Sequence, residues 1–236
     1  MSVTYAVGDI HGRSDLLDLL HEHIREHHGL LHAGNPGHIV YIGDYIDGGF
    51  DAPGVIDRLM AGLEGFTSTC LMGNHEAMML DCLDTDNWRP WFDWLSNGGD
   101  QTLESLGVAF TTGAYDPSRL RDALGKARIA WLKARPLTHR IGAYLFVHAG
   151  IAPGVPLDEQ NPQDLLWIRH RFLSSEADHG AIVVHGHTVS DDPQLRPNRI
   201  GIDTGATSHG CLTAAVLAGN AKPIFLQARG QPGHAP

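Results

Sequence analysis

The run Val3-Thr4-Tyr5-Ala6-Val7-Gly8-Asp9-Ile10-His11-Gly12 decides the reading of this chain. A short stretch of apolar and β-branched residues stops abruptly at Gly-Asp, and the same phrase returns downstream. Ile39-Val40-Tyr41-Ile42 leads into Gly43-Asp44-Tyr45-Ile46-Asp47, and Thr69-Cys70-Leu71-Met72 into Gly73-Asn74-His75-Glu76. Tyr144-Leu145-Phe146-Val147 reaches His148-Ala149-Gly150, and Ile182-Val183-Val184 reaches His185-Gly186-His187-Thr188. Runs this short and apolar read as buried strands. Ending together along one edge of a sheet, they pool two Asp, one Asn and several His, a ligand set for two metal ions.

Working outward, Ser14 to His28 carries Leu16, Leu17, Leu19, Leu20 and Ile24 at helical spacing, and a second helix is expected near 52–63. Helix after strand, twice in succession, signals βαβ units and a largely parallel sheet. The segment 75–134 reads as mostly helical, with Trp88, Trp91 and Trp94 spaced for core or lid packing. Strands are expected at 137–141, 143–147, 181–184, 199–202, 211–217 and 223–227. An α/β first half and a β-rich second half suggest two sheets face to face with helices outside. The histidine-rich stretch from His21 to His28 reads as a solvated helix face, because it lacks a closed, tetrahedral ligand spacing.

The 236 residues, 42% hydrophobic and 19% charged, suffice for one well-buried core. A single domain is expected over 1–229, with 230–236 as a loose tail. A formal charge of −10 argues against a nucleic-acid-binding surface. No apolar stretch approaches a membrane span, and a ligand motif opening at Gly8 argues against a cleaved secretory leader. Cys70, Cys82 and Cys211, odd in number and without CxxC spacing, read as reduced core cysteines of a cytoplasmic protein.

Asp9 and His11 are one residue apart, so in an extended segment both face one side and can hold one cation. Asp44 can reach that ion and, through its second oxygen, bridge to another. Asn74, His148 and His187 supply neutral donors for the second ion. Mixed Asp/Asn/His donors suit Mn²⁺, Fe or Zn²⁺ better than Ca²⁺. Two such ions about 3.5–4 Å apart would acidify a bridging water and hold phosphoryl oxygens for in-line displacement. The chemistry expected is direct hydrolysis without a covalent phosphoenzyme. His75, next to Asn74, is placed to protonate the leaving oxygen, with Asp47 to orient and charge it. Spacing alone leaves His185 open as an alternative to His187.

The blocks GDIHG (8–12), GDYIDGG (43–49), GNHE (73–76), HAG (148–150), GHT (186–188) and IDTGA (202–206) resemble the phosphoprotein phosphatase family of dinuclear metallophosphoesterases. The likeness extends to compact bacterial and phage serine/threonine protein phosphatases, which also carry the Leu-Trp-x-Arg pattern found at Leu166-Trp167-Ile168-Arg169. The resemblance implies an α/β (α+β) calcineurin-like αββα sandwich of two mixed sheets flanked by helices. It implies Asp9, His11 and Asp44 on one metal, and Asp44, Asn74, His148 and His187 on the other, with manganese the metal most associated with bacterial members. His75 paired with Asp47 would be the proton donor, and the Gly-His-Thr match selects His187. The implied activity is a metal-dependent phosphomonoesterase acting on phosphoserine or phosphothreonine in proteins, or on a small phosphoester. A symmetric dinucleoside-tetraphosphate hydrolase is the alternative, and a weakly active metal-bound scaffold for phosphorylated partners a further one.

Two departures stand out. The family's second motif reads GDxxDRG, whereas this chain has Gly48 where the Arg belongs, and Met72 replaces the Arg usually found before GNHE. Of three arginines that would hold phosphate oxygens, Arg169 remains. Arg13 and Arg58 are candidate substitutes, and the Gly48-Gly49 pair could instead offer backbone N–H groups to an anion.

Overall fold

The computed structural model describes residues 2–109, 115–219 and 221–233. The chain opens with strand β1 (Val3–Val7), helix α1 (Ser14–Leu31), β2 (Gly37–Tyr41), α2 (Ala52–Ala61) and β3 (Phe66–Cys70). These strands pair in parallel, Tyr5 against Ile39 and Ile39 against Ser68, as two successive βαβ units require. A helical stretch follows: α3 (Asn74–Cys82), α4 (Trp88–Trp94), a π-type turn over Leu95–Gly99, α5 (Asp100–Ser105) and α6 (Pro117–Lys133). Of the segment expected to be helical, 110–114 lie outside the described residues.

A second sheet is built from β4 (Thr138–Ile141), β5 (Tyr144–Val147), β6 (Ile182–His185), β7 (Gln194–Leu195) and β8 (Arg199–Gly201), with short helices α7 (Pro162–Trp167) and α8 (His170–Leu173) between β5 and β6. The last strands, β9 (Cys211–Ala218) and β10 (Ile224–Arg229), return to the first sheet. There β9 runs antiparallel to β1, and β10 antiparallel to β9. The first sheet, order β10-β9-β1-β2-β3, is therefore mixed, and the second has the order β4-β5-β6-β8-β7.

Period-2 alternation sorts the side chains into layers. Val3, Tyr5 and Val7 of β1 and Ile39 and Tyr41 of β2 pack against α1, α2 and the helices beyond. Their intervening neighbours Ala6 and Val40 meet Phe146, Val184 and Ile200 of the second sheet in a separate apolar layer. On the far side, Leu145, Val147 and Val183 pack under Leu165, Ile168 and Phe172. With both faces of the strands covered, continuous apolar runs replace an alternating pattern. The result is the αββα sandwich.

Some local details differ from the sequence reading or add to it. Within the segment read as a tail, Gly230 N–H donates to Gly210 O and Gly233 N–H to Thr207 O, while 234–236 lie outside the described residues. The histidine-rich face of α1 is only partly solvated. His21 is buried with Nε2 2.7 Å from the Tyr41 hydroxyl, and His27 and His28 turn toward the Tyr5 hydroxyl. The two-residue β7 lacks a recognisable sequence signal. The three cysteines are free and buried, as expected.

Candidate metal centre

β1, β2 and β3 run parallel, so the loops after their C-terminal ends carry Asp9, Asp44 and Asn74 side by side. Backbone bonds hold these exits together: Ile42 N–H donates to Val7 O at 3.1 Å and Leu71 N–H to Tyr41 O at 2.8 Å. β5 and β6, parallel in the second sheet, deliver His148 and His187 to the same edge, where Gly186 N–H donates to His148 O at 2.8 Å. Asp44 belongs to two ligand groups. Its carboxylate oxygens and the ring nitrogens of His11 and His75 lie within 4.8 Å of one another, and the same holds for Asp44, His148 and His187.

The hydrogen-bond geometry gathers ring nitrogens and carboxylate oxygens around one space. His148 Nδ1 is 3.1 Å from Ile42 O, a carbonyl that only accepts, so Nδ1 carries a hydrogen. Nε2 on the other side of the ring faces Asn74 Oδ1 at 2.7 Å and Asp44 Oδ2 at 3.3 Å, a convergence that a proton or a cation satisfies. His11 repeats the arrangement: Nδ1 donates to Ile46 O at 3.0 Å, and Nε2 points at Asp44 Oδ2, 3.7 Å away. Backbone carbonyls fixing the tautomer of an imidazole ligand are a usual outer support of metal sites. Asp9 Oδ1 and His187 Nε2 are buried with no hydrogen-bond partner, while Asp9 Oδ2 accepts the His187 N–H at 2.9 Å. Orphaned buried acceptors and convergent lone pairs are costly unless a cation meets them. A Cβ at Gly186 would overlap Asp9 Oδ1, so glycine keeps this side of the cluster open. The residues present fit divalent cations.

Electrostatics agree. Burial, then Asp203 and Asp44, push the Asp9 carboxyl well above the usual carboxylate range. For Asp44, burial acts upward but is outweighed by His148, His75 and His11, which hold it well below that range. Burial, then His148, lowers His187 to about 3, leaving a neutral imidazole.

The backbone is strained where these groups converge. Among the described residues, four non-glycine residues have positive φ, His11 (48°), Asp44 (52°), Asp47 (69°) and His187 (63°), and all lie in or beside this cluster. Such left-handed residues persist where the surroundings over-determine them, typically at functional sites. His11 therefore sits in a turn rather than in the extended segment first expected, and its ligand group contains Asp44 and His75 but not Asp9.

Beside the cluster, His75 Nδ1 donates to Asp47 Oδ2 at 2.8 Å, and its Nε2 stands 3.8 Å from Asp44 Oδ2. Burial would lower the His75 pKa, but Asp44 and Asp47 raise it to about 9. Asp47, fully buried, also accepts from Trp94 Nε1 at 2.9 Å and from the Thr102 hydroxyl at 2.6 Å. Trp94 and Thr102 went unrecognised in the sequence because nothing local links them to residue 47. Glu76 is the other support that sequence reasoning missed. Its buried carboxylate accepts the N–H groups of Asp44 (2.9 Å), Tyr45 (2.8 Å), Ile46 (3.3 Å) and Gly73 (3.0 Å). Its place in GNHE was the available signal.

The arginines sort differently from expectation. Arg169 is exposed at the rim, its Nη1 3.4 Å from the Thr188 hydroxyl and its charge felt at His187. Arg13 is neither a surface residue nor a free cation. It is buried, with Nε and Nη2 donating to Asp15 at 2.8 Å each and Nη1 to Ala206 O at 2.7 Å. Arg58 is committed to Asp18 and Asp51. The Gly48 N–H donates to Gly98 O at 3.3 Å, so it does not point at an anion. His185 lies outside both ligand groups: Nδ1 donates to Gly186 O and Nε2 faces Arg199.

Comparisons with known proteins agree with this arrangement. Serine/threonine-protein phosphatase 2 of Escherichia coli K12 is 29% identical, with 89% of this chain and 90% of that protein covered. The symmetrical bis(5′-nucleosyl)-tetraphosphatase of Methylococcus capsulatus is 35% identical over a shorter stretch, 25% of this chain and 31% of that one. Among solved structures, one described as a putative diadenosine tetraphosphatase superposes with a TM-score of 0.67 at 21% identity, covering 97% of this chain and 95% of its own. A serine/threonine phosphatase from Saccharomyces cerevisiae gives 0.54 at 13%, covering 98% and 80%. Residues 3–210 match the calcineurin-like phosphoesterase family, and with this fold and this cluster of ligands the chain belongs to that family of metallophosphoesterases.

Proposed function

We propose that this metallophosphoesterase is a phosphomonoesterase acting on phosphoserine and phosphothreonine in proteins, with Mn²⁺ as its working metal and the cytoplasm as its compartment. The observation that carries phosphoester hydrolysis is the double membership of Asp44 in the two ligand groups. Protein substrates are favoured by a likeness to a serine/threonine-protein phosphatase that runs along 89% of the chain. Free, buried cysteines accord with a reducing compartment.

In this reading Asp9, His11 and Asp44 hold one cation, and Asp44, Asn74, His148 and His187 the other. Bound divalent cations supply Lewis-acid charge to phosphoryl oxygens and acidify water. The chain's own groups then position and protonate. Arg169, at the rim beside His187, offers its free N–H groups to the remaining phosphate oxygens. His75, charged through Asp47, gives its Nε2 proton to the leaving serine or threonine oxygen as the P–O bond breaks. Trp94 and Thr102 hold the Asp47 carboxylate so that His75 Nδ1 has one partner and Nε2 one direction.

A second reading, symmetric hydrolysis of dinucleoside tetraphosphates, is favoured by the 0.67 superposition on the structure described as a putative diadenosine tetraphosphatase. The two differ in products. With Mn²⁺ present, the first predicts orthophosphate from phosphoserine and phosphothreonine peptides. The second predicts nucleoside diphosphate from the dinucleotide, and a rate advantage of that substrate over peptides would replace the first reading.

A further inference from the structure

Behind the second sheet's outer helices, Arg199 is 7% exposed and pairs with no carboxylate within ion-pair distance among the described residues. Its position is dictated by β8, where it sits opposite Val183 in the ladder. The guanidinium has weak neutral partners only. Nη1 lies 3.4 Å from His185 Nε2, Nη2 lies 3.4 Å from Leu173 O, and the buried Nε has none. Since His185 Nδ1 donates to the Gly186 carbonyl, Nε2 is a neutral lone pair and brings no negative charge. A buried cation without a counter-ion is a costly thing to keep.

Arg199 lines a cavity of about 510 Å³, together with a second, exposed arginine, Arg196. Ser175 also lines it. Its hydroxyl oxygen accepts from Ala177 N–H at 3.3 Å, so the hydroxyl keeps its own proton as a donor. Asn198 pins the wall by donating to Ser175 O at 2.9 Å and Ala177 O at 3.0 Å. Glu176 is the one carboxylate in the lining, and no ion pair joins it to either arginine. The lining shares no residue with the metal-ligand groups. Burial and the neighbouring charge of Arg196 lower the Arg199 pKa, the direction that an anion beside it would reverse.

We propose that this cavity is a second anion site, built on Arg199 and Arg196, for a small phosphate-class dianion. Two guanidinium forks and a hydroxyl donor match the planar, multidentate recognition that arginine gives to phosphate oxygens. The volume falls within the range of small-molecule sites and admits inorganic phosphate or a small phosphorylated molecule. Arg199 touches His185, two residues from His187, so occupancy would be felt close to the catalytic edge.

Inorganic phosphate, titrated calorimetrically into the metal-loaded full-length protein at constant ionic strength set with chloride, tests this. The wild type should show two binding events, one at the metal centre and one in the cavity. R199M should lose the second event, and R196Q, at an exposed position that folding does not depend on, should weaken it at least tenfold while hydrolysis of an aryl phosphate without added phosphate stays unchanged. E176Q should tighten it. A single event in the wild type, the same in all three variants, overturns the proposal. Should R199M fail to fold, an unaltered second event in both R196Q and E176Q overturns it equally. Disappearance of the first event alone, as in D44N, leaves the cavity's prediction standing, because the two sites share no residue.

Discussion

The carboxylate of Glu76 accepts the backbone N–H of Asp44 at 2.9 Å, and three further N–H groups of the same two loops close on it. Asp44 sits at a φ of 52°, a conformation that its own side chain does not favour. Glu76 therefore fixes the residue that the two ligand groups share by holding the main chain rather than the carboxylate. In Glu76→Gln an amide N–H₂ would face N–H donors. Losing charge-assisted bonds at a buried site costs on the order of 3 kcal/mol. The expected outcome is a lower denaturant midpoint together with weaker Mn²⁺ binding. A variant with wild-type stability and metal affinity would show that the Asp44 turn holds itself.

Asp44 contributes to both ligand groups, so Asp44→Asn should disturb both. Removing several kcal/mol of charge stabilisation corresponds to a rate loss on the order of 10³-fold. Metal content measured after dialysis should fall, with far-UV circular dichroism unchanged. Activity within tenfold of wild type would refute the shared role.

Trp94 donates to Asp47, not to His75, and is thus a positioning residue. Trp94→Phe keeps most of the packing and removes one donor to a buried carboxylate, worth roughly 1.5–3 kcal/mol. If the orientation of His75 is what that bond secures, kcat should drop about tenfold to a hundredfold, with KM moving less than twofold. An equal rise in KM would point to a packing defect reaching the substrate surface instead.

The strand exits were legible because each is local, and so was the gathering of Asp44, His148 and His187 at one edge. A short apolar run followed by Gly-Asp, Gly-Asn-His or His needs no partner to be read, and parallel pairing then brings the exits together. What stayed hidden is carried by distant pairs. Arg13 follows the first motif like a free cation, yet Asp15 and the Ala206 carbonyl consume its donors. β9 and β10 look like members of the second sheet by sequence order, but they complete the first one beside β1. His21 shares a polar helix face with Glu22 and Arg25, and only the tertiary packing sets it against Tyr41.

That buried histidine gives a pH signature away from the metals. Burial, then the charge of Arg25, lowers the His21 pKa from 6.5 to about 4. Between those values the unfolded chain binds the proton and the folded chain does not, so stability rises with pH across the window and is lost as pH falls from 6.5 toward 4. The full swing is on the order of 3 kcal/mol. In His21→Gln this contribution is absent. The stability gap between wild type and variant, measured by urea unfolding, should therefore be widest at pH 7 and shrink toward pH 4. A gap independent of pH would mean that His21 titrates with the same pKa in the folded and the unfolded chain.

Gly48 occupies the place where the resembling phosphatases carry an arginine, and the structure says what restoring one would involve. Its φ is 78°, and a Cβ there would stand 3.3 Å from Thr207 Cγ2. A left-handed L-residue costs roughly 1–2 kcal/mol, which for a chain of this size lowers Tm by about 2–8 °C. Asp47, the preceding residue, already adopts such a conformation, so the turn tolerates a side chain. Against that cost, one charge-assisted hydrogen bond to a phosphate oxygen contributes about 1.5–3 kcal/mol to the transition state. Gly48→Arg should therefore melt earlier and hydrolyse an aryl phosphate with kcat/KM raised about tenfold or more. If the variant folds and kcat/KM stays level or falls, the phosphate oxygens are already held by other groups, with Arg169 first among the candidates.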